Sequence, residues 1–346
     1  MKQPGQKLHA QVPMELIGPV KITGPILNDE VMVPLATYEI PLWASTNRGA
    51  RVSMRSGGIQ AVIIDDRMTR SVLLQAPDSE IALRFVHSFR SRTTDLQVVT
   101  SQTSRFARLL EINHQIIANL VFLRLEFYTG DAAGHNMVTK AADRIMEWLL
   151  AQYPLMQYIS ISGNFCTDKK VSAVNGILGR GKNVITELVV PRKICQRYLR
   201  AAPEKIVDLN IKKNLIGSLV SGGVRSANAH FANTLLGVYL ATGQDAANIV
   251  EGSQGFVHAE LRGEDLYISA TLPNLIVGTV GNGKDLDFVQ RNLNLMGCHV
   301  EREPGENARR LAAIIAATVL CGELSLLAAQ TNPGELMKAH EKLERK

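Results

Sequence analysis

Cysteine and aromatic residues are scarce in this sequence. Its 346 residues include four cysteines, and Phe, Trp and Tyr together make up 5%. Neither the paired spacing of a disulfide framework nor the spacing of a metal site occurs among Cys166, Cys195, Cys298 and Cys321. We therefore expect free thiols, no bound metal and a cytoplasmic location.

The sequence also lacks an export signal and an apolar run long enough to cross a membrane. Residues Met1–Gln6 are polar, and no apolar core follows them. The longest apolar run, Leu311–Cys321, is too short to span a bilayer and predicts a buried helix. We expect a protein that makes no membrane contact.

A surplus of positive charge is present without the pattern of a nucleic-acid-binding protein. The formal net charge is +6, but no cluster of Lys and Arg is interleaved with aromatic residues. The surplus suits a phosphorylated small molecule such as a nucleotide or coenzyme A, and we expect no nucleic-acid partner. The length and the 46% of hydrophobic residues predict a globular protein of two domains.

The most informative stretch is the loop Ser162–Lys170, Ser-Gly-Asn-Phe-Cys-Thr-Asp-Lys-Lys, which we call the signature loop. It follows a strand-like run, Tyr158–Ile161, and places Asp168 beside two lysines. Such a charged turn either faces water or presents its charges to a cleft. In a cleft, neighbouring carboxylates would keep Lys169 protonated, and its ammonium group would stabilise an oxyanion at a carbonyl carbon.

Residues 71–161 carry a pattern of their own. Strands are predicted at Ser71–Leu74, Leu96–Thr100, His114–Tyr128 and Tyr158–Ile161, and helices at 79–90 and 137–150. The resulting order, β-α-β-β-α-β, is that of a ferredoxin-like unit inserted into a larger domain.

Two glycine-rich stretches indicate nucleotide chemistry only weakly. Gly176–Asn183 has the P-loop spacing but ends in Asn183 where a Ser or Thr should hold Mg²⁺. Gly278–Gly283 has the wrong spacing for a Rossmann turn. A P-loop-like phosphotransfer enzyme that uses Lys182 therefore stays as an alternative.

Nine segments, in the same order, resemble the class I 3-hydroxy-3-methylglutaryl-coenzyme A (HMG-CoA) reductases, here as a catalytic portion without a membrane domain. They are Glu15–Gly18, Val33–Arg51, Ser104–Arg108, Thr129–Met137, Ser162–Asn175, Ile211–Ser218, Ala227–Ala247, Gly278–Gly281 and Leu336–His340. The resemblance implies an α+β fold in which residues 1–70 and 171–346 form a large HMG-CoA-binding domain. Residues 71–161 would form the inserted small NADP(H)-binding domain, and 162–170 the catalytic loop between them.

The implied reaction is the four-electron reduction of HMG-CoA to mevalonate and CoA, a step of isoprenoid biosynthesis. NADPH is the expected cofactor, partly because Arg345 falls where relatives hold the adenosine 2′-phosphate, and NADH is the alternative. The family also implies an active site between subunits, hence a homodimer or a dimer of dimers. By resemblance the catalytic residues are Glu39, Lys169, Asp245 and His340.

The remaining site residues are also assigned by resemblance. Substrate contacts are expected from Arg48, Arg51, Arg70, Ser162, Lys170, Lys213, His230 and Asn233. Cofactor contacts are expected from Ser104, Arg105, Phe106, Asp131, Asn136, Asp168, Gly278, Thr279 and Arg345.

Several residues depart from the family pattern. Tyr38, Ile40 and Pro41 surround the expected catalytic glutamate, and Ala339 replaces a serine beside His340. Ala133 and His135 stand where eukaryotic relatives carry methionines. These departures keep open a second alternative, a CoA- or nucleotide-binding homologue that has lost catalysis.

Overall fold

The computed structural model describes residues 10–344, except for the side chains of residues 339, 340 and 342–344. The strands within this range are β1 Met14–Thr23, β2 Asp29–Ala36, β3 Ile59–Gln75, β4 Arg108–Ile117, β5 Leu120–Tyr128, β6 Gln157–Ser160, β7 Gly181–Val190, β8 Ser226–Ala227, β9 Gly255–Arg262 and β10 Asp265–Leu275.

Thirteen α-helices lie in the same range. They are α1 Ile40–Arg55, α2 Ser79–Arg90, α3 Thr93–Ser101, α4 His135–Gln152, α5 Ala173–Leu178, α6 Arg192–Ile194, α7 Pro203–Leu209, α8 Ser218–Val220, α9 Phe231–Ala241, α10 Ile249–Gly252, α11 Asp287–Leu295, α12 Glu306–Gln330 and α13 Glu335–Glu344. Two π-helical segments, Cys195–Leu199 and Asn210–Gly217, continue α6 and α7.

The larger sheet has the strand order β2-β1-β3-β7-β10-β9-β8 and packs against the apolar helix α12. That helix is long and apolar enough to cross a membrane, but 94% of its most apolar window is buried inside the fold. The predicted buried helix at Leu311–Cys321 is therefore confirmed, and its apolar length is explained by a core that surrounds it on all sides.

A smaller antiparallel sheet has the order β6-β3-β5-β4. Helices α2, α3 and α4 pack on it, and their apolar residues form a second core. The mixed α+β class expected from the sequence is confirmed by these two sheets and their helices.

Strand β3 belongs to both sheets. Its first half, Gln60–Arg67, pairs with β7, and its second half, Met68–Gln75, pairs with β5. The expected domain boundary between residues 70 and 71 thus lies inside one continuous strand. The two sheets are therefore joined through the backbone of β3, whose pairing with β7 is irregular between Ile63 and Asp65.

One predicted strand is wrong: Leu96–Thr100 is part of helix α3. The β-branched residues Val98, Val99 and Thr100 favour a strand, but Leu96 and Val99 are buried at helical spacing while Val98 is exposed. The strand that follows the helices is β4, and the run predicted as one strand at His114–Tyr128 is the end of β4, a turn and β5.

The glycine-rich segment before Lys182 does not form a P-loop. It leads out of the short helix α5 into strand β7, whereas a P-loop leads from a strand into a helix. Lys182 is buried, and its Nζ lies 3.0 Å from Oδ1 of Asp66. This lysine cannot reach a nucleotide, so the phosphotransfer alternative has no structural support.

Candidate active site

The predicted catalytic and binding residues lie mainly in three depressions of the surface. The first cleft, of about 390 Å³, lies between α1, α9, α12 and α13 and contains Glu39, Arg48, His230 and Asn233. The second cleft, of about 550 Å³, contains Arg70, Asn136, Asp168, Lys169 and Asp245. The third, a groove of about 660 Å³, contains Arg105 and Phe106.

Glu39 immediately precedes helix α1 and lies in the first cleft. Its Oε2 accepts a hydrogen bond of 2.9 Å from Nδ2 of Asn233. Pro41 occupies the first turn of α1, where a missing N–H costs nothing and the fixed φ suits a helix. Tyr38 points away, its hydroxyl bound to the carbonyl of Gln11. The departures around Glu39 therefore leave its carboxylate in the cleft.

His230 is held at the other side of the first cleft by a buried carboxylate. It precedes α9, and its backbone N–H donates to Glu323 Oε1 at 2.6 Å. Glu323 lies in α12 with no exposed surface, and burial raises its pKa. His230 and Asn233 thus face one cleft, in agreement with their spacing of three.

Arg48 reaches the C-terminal helix across the first cleft. Its Nη1 donates to Oε1 of Glu335 at 2.8 Å, and its Nη2 donates to the carbonyl of Ser325. The guanidinium group expected to contact coenzyme A phosphates is therefore engaged by α13 in this structure. An anionic ligand would compete with Glu335 for it.

Lys169 and Asp245 form an ion pair in the second cleft, with 2.8 Å between Nζ and Oδ2. Asp245 also begins a short helical turn and accepts a hydrogen bond from the N–H of Ala247, as its position after Gly243 predicts. Both side chains are more than a third exposed, so solvent screens the pair while leaving it open to a ligand.

The pair keeps Lys169 charged and Asp245 ionised. The hydrogen bond to Asp245 raises the pKa of Lys169 and outweighs the effect of burial. Burial alone would raise the pKa of Asp245, but the hydrogen bonds from Lys169 and Ala247 lower it below its ordinary value. At neutral pH the second cleft therefore presents an ammonium group beside a carboxylate.

The wall of the second cleft opposite this pair is the N-terminus of α4. Gly134 precedes that helix with φ 95°, and no side chain in the described part of the protein caps its N–H groups. Gly278 packs against the same turn, where a Cβ atom would lie 2.3 Å from the backbone N of Ala133. Free N–H groups and a glycine-lined approach suit a phosphate group.

Asp131 does not face the second cleft as a free ligand. Its Oδ2 and Oδ1 accept hydrogen bonds from the N–H groups of Gly305 and Ala308, both of 2.9 Å. Its carbonyl accepts from the N–H of Thr279, which is buried. Asp131 thus caps α12 and ties the glycine-rich segment to the α4 turn.

The third groove combines positive charge with aromatic rings. The guanidinium of Arg105 stacks on Phe106 and that of Arg108 on Tyr128, at 4.6 Å and 4.5 Å from the ring centroids. Within residues 10–344, neither arginine forms a salt bridge with a described carboxylate. Ser104 accepts a hydrogen bond from the N–H of Phe106 and shapes this loop.

The other predicted residues are more scattered. Arg51 is exposed on α1, Ser162 and Lys170 are exposed on the signature loop, and Lys213 lies half-buried on the π-helical segment, where burial lowers its pKa. The side chain of His340 and all of Arg345 lie outside the described residues.

Sequence reasoning missed four residues around the second cleft. Buried Arg180 and Glu251 lie beneath the signature loop, and His135 and Lys284 line the cleft. Burial lowers the pKa of His135, and it lowers the pKa of Lys284 to about 8. His135 belongs to a motif assigned to the cofactor; the other three give no local signal, because only the fold brings them to the cleft.

The second cleft, with a lysine–carboxylate pair facing a glycine-lined helix N-terminus, is typical of an enzyme that acts on a carbonyl group beside a phosphorylated ligand. Comparison with known proteins defines the class further. The family model described as hydroxymethylglutaryl-coenzyme A reductase matches residues 9–345. The chain belongs to the hydroxymethylglutaryl-coenzyme A reductase family.

Curated relatives agree over nearly the whole chain. A 3-hydroxy-3-methylglutaryl-coenzyme A reductase of Aeropyrum pernix is 47% identical over 337 residues, which are 97% of this chain and 80% of the relative. One of Pyrococcus abyssi is 43% identical over 338 residues, which are 97% and 82% of the two chains.

Solved structures share the fold at low sequence identity. A class II 3-hydroxy-3-methylglutaryl-CoA reductase from Streptococcus pneumoniae, bound to NADPH in open conformations, has a TM-score of 0.74 and 19% identity. The likeness covers 95% of this chain and 88% of the other.

Proposed function

We propose that this protein reduces HMG-CoA to mevalonate and CoA with two equivalents of a nicotinamide cofactor. The observation that carries the proposal is the pair of Lys169 and Asp245 in an open cleft, in a chain that belongs to this reductase family. The relatives from Aeropyrum pernix and Pyrococcus abyssi bear the same enzyme name.

Lys169 is the group that stabilises negative charge on the substrate. Its ammonium donates to the thioester oxygen as this becomes an oxyanion, and later polarises the carbonyl of the aldehyde. Asp245 holds Lys169 protonated, because the hydrogen bond between them raises the pKa of the lysine. The exposed position of the pair leaves room for the substrate oxygen.

Proton transfer is assigned to two further residues. Glu39 donates a proton in the aldehyde step, and the hydrogen bond from Asn233 orients its carboxyl group. His340 protonates the departing thiolate of CoA, for which a side chain that titrates near neutrality is suited. Lys213, His230, Arg48, Arg51 and Arg70, with Ser162 and Lys170, are assigned to the substrate.

The residues of the second cleft and the third groove fit a nicotinamide dinucleotide. When bound, the cofactor supplies hydride to the carbonyl carbon. The uncapped N-terminus of α4, with Asn136, and the glycine-lined turn at Gly278 would hold its diphosphate. Asp168 lines the same cleft, and buried Thr279 supports the glycine-rich turn through its N–H bond to the carbonyl of Asp131.

The third groove favours NADPH over NADH. Arg105 and Arg108 carry positive charge that the described carboxylates leave unpaired, and a 2′-phosphate supplies the matching negative charge. Arg345 would add a further positive charge. The Streptococcus pneumoniae structure, which is bound to NADPH, is consistent with this preference.

We also assign the two sheets to two functional units. The antiparallel strand order β6-β3-β5-β4 supports a ferredoxin-like arrangement. We assign residues 71–161 to a cofactor-binding domain, with the catalytic loop 162–170 beside it. Residues 1–70 and 171–346 form the substrate domain. A homodimer or dimer of dimers and a cytoplasmic location stay predictions.

The experiment that tests the function follows cofactor absorbance in purified protein after HMG-CoA is added, with NADPH and NADH in separate reactions. We expect two NADPH consumed for each mevalonate formed, and slower turnover with NADH.

The cofactor preference is tested by replacing Arg108 by Ala. This change should raise KM for NADPH about tenfold, because one charge-assisted contact to the 2′-phosphate is lost. KM for NADH should be unchanged, because NADH carries no 2′-phosphate.

The same experiment separates the proposal from a homologue without catalysis. A folded protein that binds HMG-CoA but oxidises neither cofactor would contradict the proposal and favour a binding function. No observation favours that alternative, because Glu39, Lys169 and Asp245 are all present and face open clefts.

A further inference from the structure

A buried carboxylate, Glu251, lies directly beneath the signature loop. It belongs to α10 and has no exposed surface. Its Oε1 accepts hydrogen bonds of 3.0 Å from the backbone N–H of Lys169 and from Nδ2 of Asn248. Among the described residues, Oε2 has no hydrogen-bond partner. Burying a carboxylate costs free energy unless it is hydrogen-bonded, so the contacts of Glu251 indicate its role.

Arg180 accompanies Glu251 and is equally buried. Its Nε lies 3.4 Å from Oε1 of Glu251, and its Nη2 donates to Oδ1 of Asp168 in the signature loop. Its Nη1 donates to both the carbonyl and the hydroxyl of Thr69, at 2.8 Å each. One guanidinium group therefore joins α10, the signature loop and strand β3.

The signature loop needs such support, because its backbone is strained. Asn164, Thr167 and Lys169 have φ values of 58°, 42° and 56°, in the left-handed region that non-glycine residues rarely adopt. Each such residue costs on the order of 1 kcal/mol and persists only where its surroundings hold it. For Lys169, the hydrogen bond from its N–H to Glu251 provides that hold.

Glu251 also controls the partner of Lys169. Asn248, which donates to Glu251, closes the short turn that Asp245 begins. The same carboxylate oxygen thus binds the backbone of Lys169 and the side-chain amide of Asn248, the last residue of the turn that begins with Asp245. The N–H group that Glu251 binds belongs to Lys169, which lines the second cleft and pairs there with Asp245.

We propose that Glu251, with Arg180, is a positioning residue that aims the Lys169 ammonium and the Asp245 carboxylate into the second cleft. The catalytic role of Lys169 and Asp245 in this inference rests on the proposed function. Its structural part, the hold on the Lys169 backbone, can be measured independently of any activity.

The test compares Glu251→Ala and Glu251→Gln with Glu126→Gln as a matched control. Glu126, in β5, is another carboxylate with no exposed surface, and it pairs with Arg124 and Arg67. Glutamine at 251 keeps an oxygen for the N–H of Lys169 but loses the charge that faces Arg180. We expect kcat to fall about 100-fold in Glu251→Ala and less in Glu251→Gln, because a small misplacement of a catalytic group has an effect of that size.

Three readouts make this specific to positioning. KM for HMG-CoA should stay within about threefold of the wild-type value, because the loss affects the aim of Lys169 rather than binding. Hydrogen exchange at the Lys169 amide should be at least about tenfold faster in Glu251→Ala, with a smaller increase in Glu251→Gln. Glu126→Gln should keep both the wild-type kcat and the wild-type exchange at Lys169.

Wild-type kcat together with wild-type exchange at Lys169 in either folded Glu251 variant would overturn the proposal. If Glu251→Ala does not fold, kcat and amide exchange at Lys169 measured in Glu251→Gln test the proposal instead. If the wild-type protein has no reductase activity, the proposed function fails. Faster amide exchange in the signature loop of the Glu251 variants would still show that Glu251 stabilises the backbone of Lys169.

Discussion

At the scale of single residues, the Lys169 side chain is the one whose charge the proposed chemistry needs most. Replacing Lys169 by Met removes the ammonium group and keeps most of the side-chain volume. We expect kcat to fall by about 10²- to 10³-fold, the usual effect of losing one donor to a developing oxyanion. Steady-state kinetics with HMG-CoA and NADPH measures this fall in kcat. Lys212→Met is the control, because Lys212 is exposed and, among the described residues, forms an ion pair with Asp208 alone. Equal activity in both variants would remove Lys169 from the mechanism.

The buried side chain of Lys284 allows a prediction of how the free energy of unfolding depends on pH. Burial lowers its pKa from 10.5 to about 8 in the folded chain. Between these two pH values the unfolded chain binds more protons, so the contribution of Lys284 to stability rises with pH and is least favourable below pH 8. Replacement by Met removes this dependence. From pH 7 to pH 10.5 the free energy of unfolding of the wild type should gain about 2 kcal/mol relative to Lys284→Met, allowing for partial exposure.

Urea unfolding of both proteins at several pH values between 7 and 10.5 measures that difference. Because the other titrating groups are common to both proteins, their effects cancel in the comparison. A difference that stays constant across the range would show that Lys284 is charged to the same extent in the folded and unfolded chains.

At the scale of elements, the contact between α1 and α12 sets the shape of the first cleft. Gly49 in α1 lies against the backbone of α12, where a Cβ atom would come within 2.1 Å of the carbonyl oxygen of Cys321. Gly49→Ala must therefore push the helices apart. We expect a loss of about 2–3 kcal/mol in the free energy of unfolding, despite the better helix propensity of alanine.

Chemical denaturation measures this loss, and Gly217→Ala is the matched control. A Cβ atom at Gly217 meets nothing closer than 3.7 Å, so that variant should be unchanged or slightly more stable. Because α1 carries Arg48 and follows Glu39, Gly49→Ala should also raise KM for HMG-CoA. Equal stability of the two alanine variants would mean that the helices do not approach as closely as described.

The elements also show what sequence reasoning could and could not predict. The centre of helix α12 was predictable, because Leu311–Cys321 is an apolar run of helical length between Gly305 and Asn332. Helix α3 was not, because β-branched residues favour a strand locally while tertiary packing of Leu96 and Val99 selects a helix. Asp245 could be predicted as a cap from its neighbours. The contact between Glu251 and Lys169 joins residues 82 apart and depends on the fold alone.

At the scale of the whole molecule, the predicted catalytic residues are divided between two clefts. Glu39 lines the first cleft and Lys169 the second, and among the described residues no hydrogen bond or ion pair joins Glu39 to Lys169 or Asp245. A reaction that uses all three residues therefore favours a site shared by two subunits.

Hybrid assemblies test this arrangement. Glu39→Gln and Lys169→Met should each be nearly inactive alone. If each site takes Glu39 from one subunit and Lys169 from the other, a mixed dimer contains one intact site and one site with both changes. Random pairing of equal amounts makes half of the dimers mixed, so coexpression should restore about a quarter of the wild-type rate. If each site is built within one chain, every site in a mixed dimer keeps one of the two changes, and coexpression restores no activity. That result would place Glu39 and Lys169 of one site in the same subunit. Helix α1 and the signature loop of that subunit would then have to approach each other.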